Sequence, residues 1–193
     1  FSLDAFQEFF SKSYYYVSIF NSVKIALVVT VFSLLIGIPF SYFYSFYRLK
    51  GRKVLLILCL LCTMSAPFIG AYAWILLLGN SGLITKFIAS LGLPTVSIYG
   101  FGGIVFVQVL KLFPLIVIYM NGAFRDIDNS LLEAAESMGC KGLDRFRRVT
   151  MALTMPTILA GALLVFMRSF ADFGTPALIG RGYSTFPVLI YNQ

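Results

Sequence analysis

Four long apolar runs separated by short polar stretches constrain this chain more than any other feature. The run from Val23 to Tyr47 carries Lys24 as its one charge. At about 25 residues it suffices for a tilted helix across a hydrocarbon core of about 30 Å, and Lys24 at its edge can snorkel to headgroups. Further runs cover residues 54–78, 101–124 and 152–173, with Pro39 expected to kink the first and Ser65-Ala66-Pro67 to interrupt the second. A soluble helix needs a wet face, and runs of this kind have none. The composition agrees, with 59% hydrophobic residues. The chain is therefore read as all-α, a polytopic bundle of transmembrane helices, with a partial fifth span at 184–193. Phe1 at the start and the apolar run Pro187 to Tyr191 near the end suggest a piece of a longer protein, and no signal peptide is expected.

The polar stretches set an orientation. Arg48, Lys50, Arg52 and Lys53 gather around Gly51, and Arg125, Lys141, Arg145, Arg147 and Arg148 populate residues 125–151. Residues 79–99 hold Lys86 alone among basic residues. Because Lys and Arg accumulate on the cytoplasmic side, the first two stretches are expected inside and the third outside. The net charge of +7 is explained by orientation and lipid headgroups, with no nucleic acid implied. Outside, Leu83, Phe87 and Leu91 share a helical face, so a short surface helix is expected before Gly92-Leu93-Pro94 breaks it. Residues Phe1 to Tyr16 mix aromatic and charged residues, as an interfacial amphipathic helix or a soluble lead-in would. Tyr72 and Trp74 suit an aromatic belt.

Several chemistries are disfavoured. There is no histidine, which removes the commonest general base and metal ligand. Cys59-Leu60-Leu61-Cys62 has a redox spacing but lies inside an apolar run. Asp172-Phe173-Gly174 spells a kinase motif without its companions, and no G-x-x-x-x-G-K-[ST] occurs. Neither catalysis nor a cofactor is expected.

The most informative polar stretch is Asn129 to Gly139. Ser130 and Glu133 have the S-x-x-E spacing of a capping box, so a helix is predicted to start near Ser130. Leu131, Ala135 and Met138 fall on one face as a small apolar key, and Gly139 supplies the freedom for a sharp stop. A second short helix is predicted from Leu143 to Thr150, with Phe146 and Val149 on one side and Arg145, Arg147 and Arg148 making it basic.

Glu133-Ala134-Ala135, three residues, Gly139, nine residues and Val149 resemble the E-A-A signature of permease subunits of binding-protein-dependent ABC importers. Met151 stands where that family has leucine. Ala152 departs from its usual proline, with Pro156 four residues on. The resemblance implies an all-α transmembrane bundle of the ABC importer permease (methionine-importer-like) type in a bacterial inner membrane, with coupling helices in the 125–151 loop. It also implies three partners: a cytoplasmic ATP-binding subunit, a second permease half on the same or another chain, and an extracytoplasmic substrate-binding protein. The residues expected to couple to the ATPase are Ser130, Leu131, Glu133, Ala134, Ala135, Met138 and Gly139.

For a translocation path, the sequence offers Gln108, Lys111, Arg168 and Asp172. Lys111 lies mid-run with Pro114 one turn after it, and a charge at that depth marks either a path or a buried pair. Arg168 and Asp172 are spaced to pair along one helix face. The text Ala171 to Gly180 with Gly182-Tyr183-Ser184-Thr185 resembles ferric-iron importer permeases, which implies ferric iron as the expected substrate, with phosphonate, polyamine, sulfate or thiamine, whose permeases read similarly, as the alternatives. Two other classes remain open: an ion-coupled secondary transporter using Lys111 and Asp172, and a membrane scaffold whose loop recruits a cytoplasmic protein.

Overall fold

The computed structural model describes residues 13–46, 51–64, 67–91, 97–140 and 142–192, and these form helices with no strand among them. In chain order they are α1 (Ser13–Phe46), α2 (Arg52–Met64), α3 (Pro67–Leu78), α4 (Leu83–Ser90), α5 (Phe101–Arg125), α6 (Asn129–Ser137), α7 (Leu143–Arg145), α8 (Met151–Phe170), α9 (Gly174–Ile179) and α10 (Phe186–Tyr191). A π-helical turn, Phe146–Thr150, joins α7 to α8 without a break. Most of the expected lead-in helix lies outside the described residues, as do Arg48, Lys50, Ser65, Ala66, Gly92-Leu93-Pro94 and Lys141.

Among the described residues, four stretches are long and apolar enough to cross a membrane: Tyr14–Phe46, Phe68–Ser90, Phe101–Arg125 and Phe146–Phe170. The second is not one helix, since a turn at residues 79–82 separates α3 from α4. Within the span expected at 54–78, α2 and α3 lie on either side of residues 65–66, which are outside the described residues. Pro67 opens α3 at a first-turn position, where its missing N–H costs nothing. At the chain's end the expected partial span is represented by the six-residue α10.

Two compact units divide the chain. The first takes described residues from Phe1–Thr30, Ser65–Lys111 and Phe166–Gln193. Its core includes Ile25, Val29, Ile104, Val107, Ile179 and Leu189, all almost fully buried. The short α9 packs against α3 and is held at its C-terminal end by the Gly100 N–H, which donates to the Ile179 carbonyl at 2.9 Å. Phe68 meets Phe173 edge-on, and Trp74 meets Phe106 at 5.3 Å. The start of α10 has no cap from its own Thr185. Ser22 of α1 takes that role by accepting the Phe186 N–H at 2.8 Å, while Asn21 Nδ2 donates to the Ser184 carbonyl at 3.0 Å. Lys24, although exposed, lies 5.0 Å from the Phe101 ring centre in a cation–π contact.

The second unit takes Val31–Met64 and Leu112–Val165. Ile116, Val117, Met120, Phe124 and Ile158 form its apolar centre. Here α1 and α5 approach closely at Gly37, where an added Cβ would fall 2.8 Å from the Ile116 side chain. Small residues let membrane helices gain van der Waals contact in this way. Outward, Leu35 and Leu163 remain 62% and 67% exposed, as suits side chains solvated by lipid.

Candidate functional site

Two groups of residues stand out: the polar loop between α5 and α8, and a buried polar cluster in the first unit. In the loop, α6 begins one residue before the expected start. Asp128, in extended backbone conformation, is its N-cap, and the Asp128 carboxylate accepts the Ser130 N–H at 2.9 Å. That bond, then one to the Ser130 side chain, holds the Asp128 carboxyl below its ordinary pKa. The expected capping box at Ser130 and Glu133 is thus corrected. Ser130 sits inside the helix as the capped donor, and the Glu133 carboxylate has no hydrogen bond or ion pair among the described residues. The Ser137 hydroxyl donates to the Glu133 carbonyl instead.

The C-terminal stop follows the expected chemistry. Gly139 has φ +88°, its N–H donates to the Glu136 carbonyl, and the Cys140 N–H reaches back to the Ala135 carbonyl at 2.9 Å. These paired bonds make a Schellman closure, which needs a left-handed residue at that position. The apolar key requires correction. Leu131 and Met138 are exposed, but Ala135 is buried and turns inward with Leu132. Met138 is past the end of α6, so the i, i+4, i+7 face does not persist. Glu133, Ala134 and Gly139 are exposed.

The second loop helix is also reshaped. The predicted Leu143–Thr150 helix appears as α7 plus the π-helical turn, continuous with α8, so no gap precedes the helix expected to begin near 152 or 156. Arg145 donates to Glu136 Oε2 at 3.0 Å and ties α7 to α6. One residue on, the Phe146 ring lies 4.5 Å from that of Tyr42, which also contacts Phe46 and Phe124.

In the first unit, Gln108, Lys111 and Asp172 come together. Lys111 Nζ lies 3.5 Å from Asp172 Oδ1, with the carboxylate side chain 6% exposed and the lysine 22%. Gln108 Nε2 donates to Asp172 Oδ2 at 3.0 Å, and the Thr175 hydroxyl donates to the same oxygen. The Ser169 hydroxyl in turn donates to Gln108 Oε1. Every polar arm of this cluster is engaged, as burial demands. Arg168 is not part of it. The expected Arg168–Asp172 pair along one helix fails because α8 ends at Phe170, so Asp172 is carried off the helix face and meets α5. Arg168 is exposed, with no ion pair among the described residues. Asp128, Ser169 and Thr175 were not singled out by the sequence. The sole signal for Thr175 was its place three residues after Asp172.

The family model "Binding-protein-dependent transport system inner membrane component" matches residues 27–193. The spermidine/putrescine transport system permease protein PotB of Haemophilus influenzae is 32% identical over 165 residues, covering 84% of this chain and 58% of that protein. A probable molybdenum ABC transporter permease protein of Haloferax volcanii is 32% identical, covering 89% of this chain and 61% of that one. A putative ferric transport system permease protein, FbpB 1 of Haemophilus influenzae, is 26% identical, covering 94% and 29%. The chain thus spans about three fifths of the length of the first two. Among solved structures, a bacterial alginate ABC transporter in complex with an alginate pentasaccharide-bound periplasmic protein aligns with a TM-score of 0.83 at 18% identity, covering all of this chain and 71% of that one. At that identity the likeness speaks to fold.

Proposed function

Because the chain belongs to the family of binding-protein-dependent transport system inner membrane components, we propose that it is the permease subunit of an ATP-driven importer. In this reading it lines part of the substrate path and receives force through the loop at 125–151. The observation that carries the reading is α6, with Leu131, Glu133 and Ala134 exposed, and its Gly139 closure, lying in the one polar stretch that has the E-A-A spacing. An ATPase subunit on the cytoplasmic side, a second permease half and an extracytoplasmic binding protein complete the machine.

Gln108, Lys111 and Asp172 are assigned to the path or its wall, since charges at such depth face a bundle interior. Arg168 is assigned to its outer rim. For substrate, a polyamine is the first choice, supported by the permease relatives at 32% and 30% identity. Ferric iron is the second, supported by the residue 171–185 text and by the ferric relative that covers 94% of the chain.

The test is reconstitution of the whole complex in vesicles. Uptake should require ATP and binding protein, and should persist when ion gradients are collapsed. Uptake that follows an ion gradient without ATP would instead favour a secondary transporter coupled through Lys111 and Asp172. Comparing binding protein loaded with spermidine, ferric iron or molybdate assigns the substrate.

A further inference from the structure

An aromatic contact fastens the loop to its unit. Phe146 opens the π-helical turn, and its ring packs against Tyr42 of α1 at 4.5 Å with an interplanar angle of 64°. Tyr42 lies 4.7 Å from Phe46, and Phe46 lies 5.8 Å from Phe124 of α5, so the contact is backed by a cluster. On the loop side, Arg145 immediately precedes Phe146 and holds Glu136 of α6 at 3.0 Å. Glu136 of α6 is thereby linked to the residue next to the aromatic contact.

A π-helical turn begins at the aromatic contact itself. The Met151 N–H bonds to the Phe146 carbonyl, five residues back, so one extra residue is inserted in an otherwise unbroken helix. An extra residue turns the faces on either side by about 100° relative to a regular helix. This lets Phe146 meet Tyr42 while Thr150 and Thr154 stay buried, with the Thr154 hydroxyl donating to the Thr150 carbonyl. Proline does not force the turn. Pro156 would free the carbonyl of Ala152, which lies beyond it.

We propose that the Tyr42–Phe146 contact is the positioning link that passes loop movement to the C-terminal half of α1, with the π-helical turn as its compliant joint and Glu136–Arg145 as the tie that makes α6 and α7 move together. The proposal rests on the permease reading above.

The test uses the reconstituted complex and reads substrate transported per ATP hydrolysed. Phe146→Ala and Tyr42→Ala should each lower that ratio about fivefold or more, the double variant should be no worse than either single, and Phe146→Tyr should keep the wild-type ratio. Glu136→Arg and Arg145→Glu should each lower the ratio, and the charge-swapped pair should recover it. That second set lies on the surface and leaves the aromatic cluster intact, so it stands even where Phe146→Ala impairs folding. A wild-type ratio in Phe146→Ala, or no recovery in the swapped pair, overturns the link. Absence of ATP-driven uptake by the wild-type complex overturns the permease reading and the link with it.

Discussion

Lys111 and Asp172, 3.5 Å apart, pair a half-buried ammonium with a buried carboxylate between α5 and the corner that follows α8. The carboxylate keeps two further donors, Gln108 and Thr175, so its charge is compensated from three directions. Removing one member of such a pair strands the other charge in a poor solvent, at about 3–5 kcal/mol. Removing both leaves little to strand.

From this follows a double-mutant cycle. Lys111→Met and Asp172→Asn should each lower the melting temperature of the detergent-solubilised protein. Lys111→Met should cost less, because Gln108 and Thr175 still hold the carboxylate, whereas Asp172→Asn turns an amide toward an ammonium. The double variant should recover about 1–3 kcal/mol relative to the sum. Additive losses would show that the two residues do not support one another.

At Gly139 the constraint is conformational. An added Cβ would meet nothing within 4 Å, yet φ is +88°, so a side chain there is strained without being crowded. Gly139→Val should cost about 1–3 kcal/mol locally, open the Schellman closure and reduce transport per ATP in the reconstituted complex. Gly139→Asn should be milder, since asparagine tolerates left-handed backbone better than a β-branched residue. Equal effects of the two would mean that the turn is not what the loop requires.

Asp128 gives the loop a pH dependence of known sign. Its hydrogen bond to the Ser130 N–H holds the carboxyl below the ordinary value. The capping contribution is thus present above the unfolded value, near 3.9, and lost as pH falls through the lowered folded one. Exchange of the Ser130 amide should be slow at neutral pH and accelerate relative to the rest of the chain only in that acid window. Asp128→Asn should abolish the relative acceleration while keeping the cap, and Asp128→Ala should expose this amide at every pH. A relative acceleration that persists in Asp128→Asn would assign it to another group.

The apolar runs were legible because length and polarity are local properties, and Gly139 was legible because a sharp stop demands a particular residue. The cap was not, because Asp128, Asn129 and Ser130 are three consecutive good caps and a one-residue frame decides among them. Asp172 was misassigned for a related reason. Its spacing from Arg168 suits a helix, but α8 ends at Phe170 before any glycine or proline marks the stop. Its real partner comes from a distant part of the chain, which no spacing rule can supply. The π-helical turn has no residue signature, so the continuity of α7 with α8 is a property of the fold that spacing does not announce. The inward turn of Ala135 likewise depends on what α6 packs against.

The approach of α1 to α5 at Gly37 yields the most direct packing test. A methyl group there would lie 2.8 Å from both Cβ and Cγ2 of Ile116 and 3.2 Å from the Phe113 carbonyl. Cβ of Ile116 is fixed to the backbone of a long helix, so rotamer change cannot clear the clash, and the helices must separate. Lipid offers apolar side chains an equally good solvent, so what is lost is close packing itself. Gly37→Ala should cost about 1–3 kcal/mol, within the usual range for overpacking, and Gly37→Val more. Ile116→Ala removes Cγ2 and opens a cavity on its own, so the pair Gly37→Ala with Ile116→Ala should be more stable than the summed single effects require. Thermal unfolding of the four proteins in one detergent measures this. A Gly37→Ala protein as stable as wild type would mean that α1 and α5 are held apart at this point and that the close contact is not formed.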